Sequence, residues 1–260
     1  MQGDCLELMK EFPDECIDLT VTSPPYDNLR TYNGNVDGWS FYKFKGIAKE
    51  LYRITKSGGI VVWVVADATI RGSETGTSFK QALYFKECGF NIHDTMIFLK
   101  KNPVPLKSNR YQPSFEYMFV FSKGKPKTFN PILTDKKYVV NKKNKRFNRQ
   151  PDGTYITKEY KSSSNKKVIT NVWEFCVGSS SAKDKIAFGH PAIFPEQLAR
   201  DHIISWSNPG DTVFDCFMGS GTTGVEAVKN ERKFIGIELD KTYFEISKQR
   251  INNAVFSLQK

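Results

Sequence analysis

Thr22-Ser23-Pro24-Pro25-Tyr26 follows directly on the apolar run Ile17-Asp18-Leu19-Thr20-Val21, and few chemistries need two prolines and an aromatic at the end of a strand. Pro24 and Pro25 lack N–H groups and have a fixed φ, so the turn leaves the sheet ladder and its carbonyls stay available as acceptors. Tyr26 supplies a stacking face. Acceptors beside a flat ring suit work on a planar amino group. Taken alone, the five residues also fit a proline-terminated strand with a core tyrosine.

A second motif lies near the other end. Asp211 to Glu226, followed by Lys233 to Asp240, reads as strand, glycine turn, helix, strand and acid. Gly219, Gly221 and Gly224 satisfy G-x-G-x-x-G, which lets backbone approach a ligand at a helix N-terminus. Glu238 follows at somewhat under the ~20 residues at which an acid meets ribose hydroxyls. Val225 after Gly224 excludes a P-loop, which needs Lys and then Ser or Thr. Asp215 sits at the strand's end, where a dinucleotide fold is normally apolar, and a carboxylate there suits an ammonium. S-adenosylmethionine carries an α-ammonium, a ribose diol and an adenine but no pyrophosphate, so Asp215 and Glu238 match its first two groups.

With both motifs in this order, the chain resembles the β-class amino-group DNA methyltransferases, which modify cytosine N4 or adenine N6. The resemblance extends to Gly3-Asp4-Cys-Leu-Glu-Leu-Met, to Glu116-Tyr-Met-Phe-Val-Phe-Ser-Lys-Gly124 and to His190-Pro-Ala-Ile-Phe-Pro195. These are similar to the segment near the cofactor adenine, the strand behind the base pocket and the segment enclosing the methionine end. The resemblance implies a doubly wound, mostly parallel α/β sheet with an antiparallel edge hairpin and a small inserted target-recognition region. It implies Ser23, Pro24, Pro25 and Tyr26 as catalytic residues. For the cofactor it implies Asp4, Thr22, His190, Ala192, Phe194, Asp215, Phe217, Gly219, Gly221, Thr222 and Glu238. Double-stranded DNA is the implied partner; a cognate restriction endonuclease and the choice of monomer or homodimer stay open.

The lone pair of an exocyclic amine is delocalised into the ring until acceptors hold its N–H bonds and draw the nitrogen towards a tetrahedron. The Pro24 carbonyl and Ser23 Oγ are the candidates for that task, with Tyr26 stacking and Phe115 or Tyr117 lining the pocket of a flipped base. Transfer is then a direct in-line displacement in which positioning supplies much of the acceleration. In the family a leading Ser goes with cytosine N4, and Asp or Asn with adenine N6. A hydroxyl can also donate to cytosine N3, whereas a carboxylate only accepts, which favours cytosine N4 over adenine N6. Asp27 and Asn28 follow at once and complicate that choice.

Other chemistries fit less well. Without a Pro-Cys dipeptide there is no cytosine C5 nucleophile, and without H-x-E and P-C-x-x-C there is no zinc deaminase. A nicotinamide-dependent oxidoreductase is allowed by the glycine fingerprint and Glu238, but it leaves Ser-Pro-Pro-Tyr without a purpose. A DNA-binding protein without turnover, and RNA or a protein amide as acceptor, remain alternatives. The five cysteines are scattered with no metal-ligand spacing, so no metal site is expected. The longest apolar run, Ile60 to Ala66, is too short for a bilayer, so no membrane partner is expected and a reducing cytoplasm is the expected compartment.

The net charge of +10 suits a polyanion partner. Its source is a Lys/Arg/Asn-rich stretch with Tyr138, Phe147, Tyr155 and Tyr160 interleaved. Lys142, Lys143, Lys145, Arg146 and Arg149 are candidates for phosphate or base-edge contacts, and Arg30 and Tyr32 for a clamp after the catalytic turn. A solvated linker and an ordinary polar loop are the plain alternatives for the two regions. The expected organisation is a catalytic half over 1–122, the basic insertion over 123–182 and a cofactor half over 183–260.

Buried strands are expected near 17–22, 59–65, 94–100, 115–122, 211–216 and 233–238. Helices are expected at Phe41–Thr55, Ser78–Cys88, after the glycine turn, at Pro195–Ser205 and at Lys241–Asn253. Strands alternating with helices place ligands at the carboxyl ends of the strands, where both motifs lie.

Overall fold

The computed structural model describes residues 1–27, 39–103, 105, 109–137, 144–160, 164–178, 186 and 194–258, without the side chains of Asn144, Arg146 and Tyr160. The elements in chain order begin with α1 (Cys5–Met9), β1 (Ile17–Thr22), α2 (Phe41–Ile54), β2 (Thr55–Val65), β3 (Thr69–Ile70), β4 (Ser73–Glu74) and α3 (Thr77–Glu87). They continue with β5 (Asn91–Lys100), β6 (Phe115–Ser122), β7 (Leu133–Asp135), β8 (Asn144–Arg149), β9 (Tyr155–Tyr160), β10 (Lys166–Val168) and β11 (Val172–Phe175). The chain closes with α4 (Glu196–Trp206), β12 (Thr212–Asp215), α5 (Thr222–Lys229), β13 (Lys233–Gly236) and α6 (Lys241–Leu258).

Seven strands form one sheet in the order β11-β5-β6-β2-β1-β12-β13. Only β6 runs against the others, pairing antiparallel with both β2 and β5, while the remaining neighbours pair in parallel. This is the expected doubly wound α/β fold. The hairpin of β5 and β6 stands one strand in from the edge, because β11 pairs with β5 outside it. The expected helices recur within a residue or two of their bounds, except that α6 extends to Leu258. Strand β2 starts earlier than periodicity suggests. Its register shifts against β1 between Ile17 and Leu19, so Lys56–Gly59 form an irregularity ahead of the apolar run.

The two central strands are buried on both faces, which explains their β-branched character. On one face Val61, Trp63, Phe119, Phe121 and Phe214 pack with Phe44 and Leu51 of α2 and Phe85 of α3. Each such fully buried ring contributes roughly 1.5–3 kcal/mol through the water it sheds. The Trp63 indole donates to Gln81 at 2.8 Å, tying α3 to β2. On the other face α4, α5 and α6 pack against one another and against β1, β12 and β13.

Pro131–Thr170 forms a separate compact unit. It holds two antiparallel pairs, β7 with β10 and β8 with β9. It is narrower than the 123–182 span read from the sequence, since Val172–Phe175 completes the main sheet and Asn130 donates to the Ser205 carbonyl of α4 at 2.8 Å. Within the unit eleven Lys and Arg face three Asp and Glu, a net +8 of the chain's +10. Among the described residues no helix is long and apolar enough to cross a membrane.

Candidate active site

Parallel pairing of β1 with β12 sets the two motifs side by side. The Thr22 hydroxyl at the end of β1 donates to Asp215 Oδ1 at the end of β12, at 2.6 Å. The same oxygen accepts the Phe217 amide at 3.0 Å. Asp215 is buried, and that burial pushes its carboxyl up to about 6 despite hydrogen bonds from Thr22, Thr223 and Phe217. One strand further, Glu238 accepts the Gly219 amide at 2.7 Å and the Asp240 amide at 2.8 Å, and burial raises its carboxyl too.

Between these acids the chain turns through Gly219 and Gly221, with φ of 51° and 82°. A Cβ on Gly221 would lie 2.7 Å from the Ser247 Cβ of α6, so left-handed backbone and close packing both demand glycine there. Arg250 of α6 is buried beneath the turn and donates to the Ser220 carbonyl at 2.6 Å and to Thr222 Oγ1 at 3.2 Å. Thr222 thus anchors the turn through its hydroxyl. Arg250 also lies 3.7 Å from Glu196, just after Phe194 and Pro195. Phe217 meets Trp39 and Trp63 edge-on at 5.5 and 6.0 Å.

The amino-terminal segment runs beside this site, with Gln2 bridged to Glu238 and the Gly3 amide donating to the Glu238 carbonyl at 2.9 Å. Asp4 caps α1 through Leu6 at 2.9 Å and pairs with Lys43 at 2.5 Å. Burial opposes ionisation of Asp4, but Lys43 and the capping amides outweigh it and hold the carboxyl below its usual range. His190 and Ala192 lie outside the described residues, as do Arg30 and Tyr32; Phe194 is half-buried.

The catalytic turn has partners that the sequence did not disclose. Ser23 Oγ lies 3.0 Å from the Tyr26 hydroxyl, which lies 2.8 Å from Glu116 Oε2, and Glu116 Oε1 pairs with Lys100 Nζ at 2.8 Å. The reversal of β6 is what carries Glu116 to the edge where β1 and β5 end. In sequence, Glu116 opened the segment that resembles the strand behind the base pocket, but nothing there assigned its carboxylate a partner. Tyr26 packs against the aromatic core, while Phe79 and Phe115 meet Tyr117 at 5.4 and 5.5 Å. Asp27, at φ 42°, takes the Thr75 hydroxyl at 2.7 Å, which ties the turn's exit to the loop after β4. With the Ser23 proton directed at Tyr26, donation to a ring nitrogen requires that hydroxyl to turn.

The sequence profile of the DNA methylases of N6/N4 type matches residues 17–249. The chain belongs to the DNA methylase family. This methylase is 55% identical over 254 residues to the orphan methyltransferase M.BamHII of Bacillus amyloliquefaciens, across 95% of this chain and 93% of the relative. It is 29% identical to the DNA adenine methyltransferase YhdJ of Escherichia coli, across 98% of this chain and 82% of the relative. The solved PvuII DNA methyltransferase, titled cytosine-N4-specific, superposes with a TM-score of 0.70 at 22% identity, covering 99% of this chain and 90% of that one.

The methyl donor of the family is S-adenosylmethionine. The residues of this methylase fit it, since a buried carboxyl held up to about 6 calls for a cation beside it and Glu238 adds a second acceptor across the glycine turn. In the inserted unit Lys145, Phe147 and Arg149 alternate along β8 with exposed side chains, opposite Glu159, Thr157 and Tyr155 of β9. Lys142 and Lys143 lie outside the described residues; Arg146 is placed on β8 without its side chain.

Proposed function

We propose that this methylase transfers a methyl group to the N4 amino group of a cytosine flipped out of duplex DNA. The observation that carries the reading is the acceptor oxygen of Ser23 at the end of β1, one residue from the Thr22 hydroxyl that bonds Asp215. Bound S-adenosylmethionine supplies the activated methyl. Asp215 holds its α-ammonium, Glu238 its ribose hydroxyls, and Phe217 with the glycine turn borders it. Ser23 Oγ and the Pro24 carbonyl accept the two N–H bonds of the target amine, which localises its lone pair for in-line attack. Tyr26, with Phe115 and Tyr117, borders the flipped base. Cytosine is preferred because the motif opens on Ser23, and in the family a leading Ser, in place of Asp or Asn, goes with cytosine N4.

The inserted unit supplies the DNA contacts, with Lys145, Arg149 and their basic neighbours set against phosphates and base edges. By likeness to the orphan relative, the enzyme works without a cognate endonuclease. The five free cysteines suit the reducing cytoplasm. Methyl-labelled S-adenosylmethionine and mixed-sequence duplex DNA, followed by digestion to nucleosides and mass spectrometry, test the reading. N4-methyldeoxycytidine that disappears in Ser23→Ala is expected. N6-methyldeoxyadenosine would overturn the choice of base, and no labelled nucleoside would overturn the reaction.

A further inference from the structure

The proton in each link of the Ser23, Tyr26, Glu116 and Lys100 chain has one assignment. A carboxylate paired with an ammonium is an acceptor only, so the Tyr26 hydroxyl gives its proton to Glu116 Oε2 across 2.8 Å. The phenol has no second proton, so the 3.0 Å contact between Ser23 and Tyr26 is donated by Ser23. With its hydrogen turned inward, Ser23 Oγ keeps only lone pairs for a group entering the site. All four groups are partly buried, with Glu116 15% and Lys100 21% exposed, so the direction is set by the ion pair at the end of the chain.

We infer that Glu116, oriented by Lys100, is the positioning residue that fixes Ser23 as a hydrogen-bond acceptor for the target amine. This rests on the proposed role of Ser23. Glu116 touches no substrate; it acts through two hydroxyls and sets the sign of the hydrogen bond that the amine meets. Glu116→Gln keeps the shape and reverses the sign. Its carbonyl stays on Lys100, so its NH2 faces Tyr26, Tyr26 then donates to Ser23, and the Ser23 proton is forced towards the incoming N–H.

Single-turnover methyl transfer, with Kd values for duplex DNA and S-adenosylmethionine and a thermal midpoint, decides the matter. Glu116→Gln is expected to slow transfer about 100-fold, with both Kd values within about two-fold of wild type and the midpoint kept. Lys100→Met added to Glu116→Gln frees the amide to flip its oxygen towards Tyr26, and at least about ten-fold of the lost rate returns. A merely structural role predicts the opposite, a double variant worse than either single one. Transfer by Glu116→Gln within about two-fold of wild type, or no recovery in the double variant, overturns the inference. Should Glu116→Gln fail to fold, Tyr26→Phe breaks the same chain, and an unslowed rate there overturns it as well. Absence of amino methylation by the wild type would instead overturn the proposed reaction, and the inference with it.

Discussion

Asp215 illustrates how a single buried group ties chemistry to stability. Its carboxyl sits at about 6 in the folded protein against 3.8 ordinarily, because burial disfavours the charge. As pH rises, the unfolded chain therefore releases its proton first. The stability this group contributes is complete below about pH 4 and is lost as pH climbs through about 6, by on the order of 3 kcal/mol. Asp215→Asn removes the effect. Chemical denaturation of the cofactor-free proteins across about pH 4 to 7.5 should show the variant gaining on wild type by on the order of 2–3 kcal/mol; a constant gap would disprove the assignment. The same substitution should weaken S-adenosylmethionine binding, read by calorimetry, because an ammonium facing an amide loses its counter-charge. Serine at position 23 poses the complementary case, in which the direction of one proton carries the chemistry.

Elements place these residues by topology more than by local preference. Parallel β1 and β12 align Thr22 with Asp215, and the reversed β6 returns Glu116 to that edge. Helix α6 contributes from behind, since Arg250 holds the Ser220 carbonyl inside the glycine turn and reaches Glu196 of α4. Arg250→Met should cost about 2–4 kcal/mol in urea denaturation by leaving those acceptors buried. It should also weaken S-adenosylmethionine binding without changing the Kd for DNA. Intact cofactor affinity would mean that the turn is held by its own backbone.

For the whole molecule, charge is segregated from chemistry. The unit Pro131–Thr170 carries a net +8, which leaves +2 for the catalytic unit. On the proposed reading the two tasks separate by substitution. Lys145→Gln with Arg149→Gln should weaken DNA binding and lower the slope of log K against log salt by roughly 2, while cofactor affinity stays at the wild-type level. An unchanged slope would remove these two residues from the phosphate contacts.

The sequence by itself determined six of the seven strands of the main sheet, the proline and glycine turns at strand ends and the acids Asp215 and Glu238. These are local properties: β-branched runs, residues without an N–H or a Cβ, and fixed spacing along one chain. It also gave the basic composition of the insertion, but not its two antiparallel strand pairs, because alternating charges and exposed rings leave no apolar period to read. Strand β11 was missed because four residues, of which only Trp173 and Phe175 are buried, carry little signal until β5 lies beside them. Only the tertiary structure decided that Glu116 and Lys100 stand behind Tyr26, that Arg250 lies under the glycine turn and that Lys43 neutralises Asp4. Each of these pairs joins distant segments, and a side chain's charge in sequence does not say which partner the packed sheet will bring within hydrogen-bond reach.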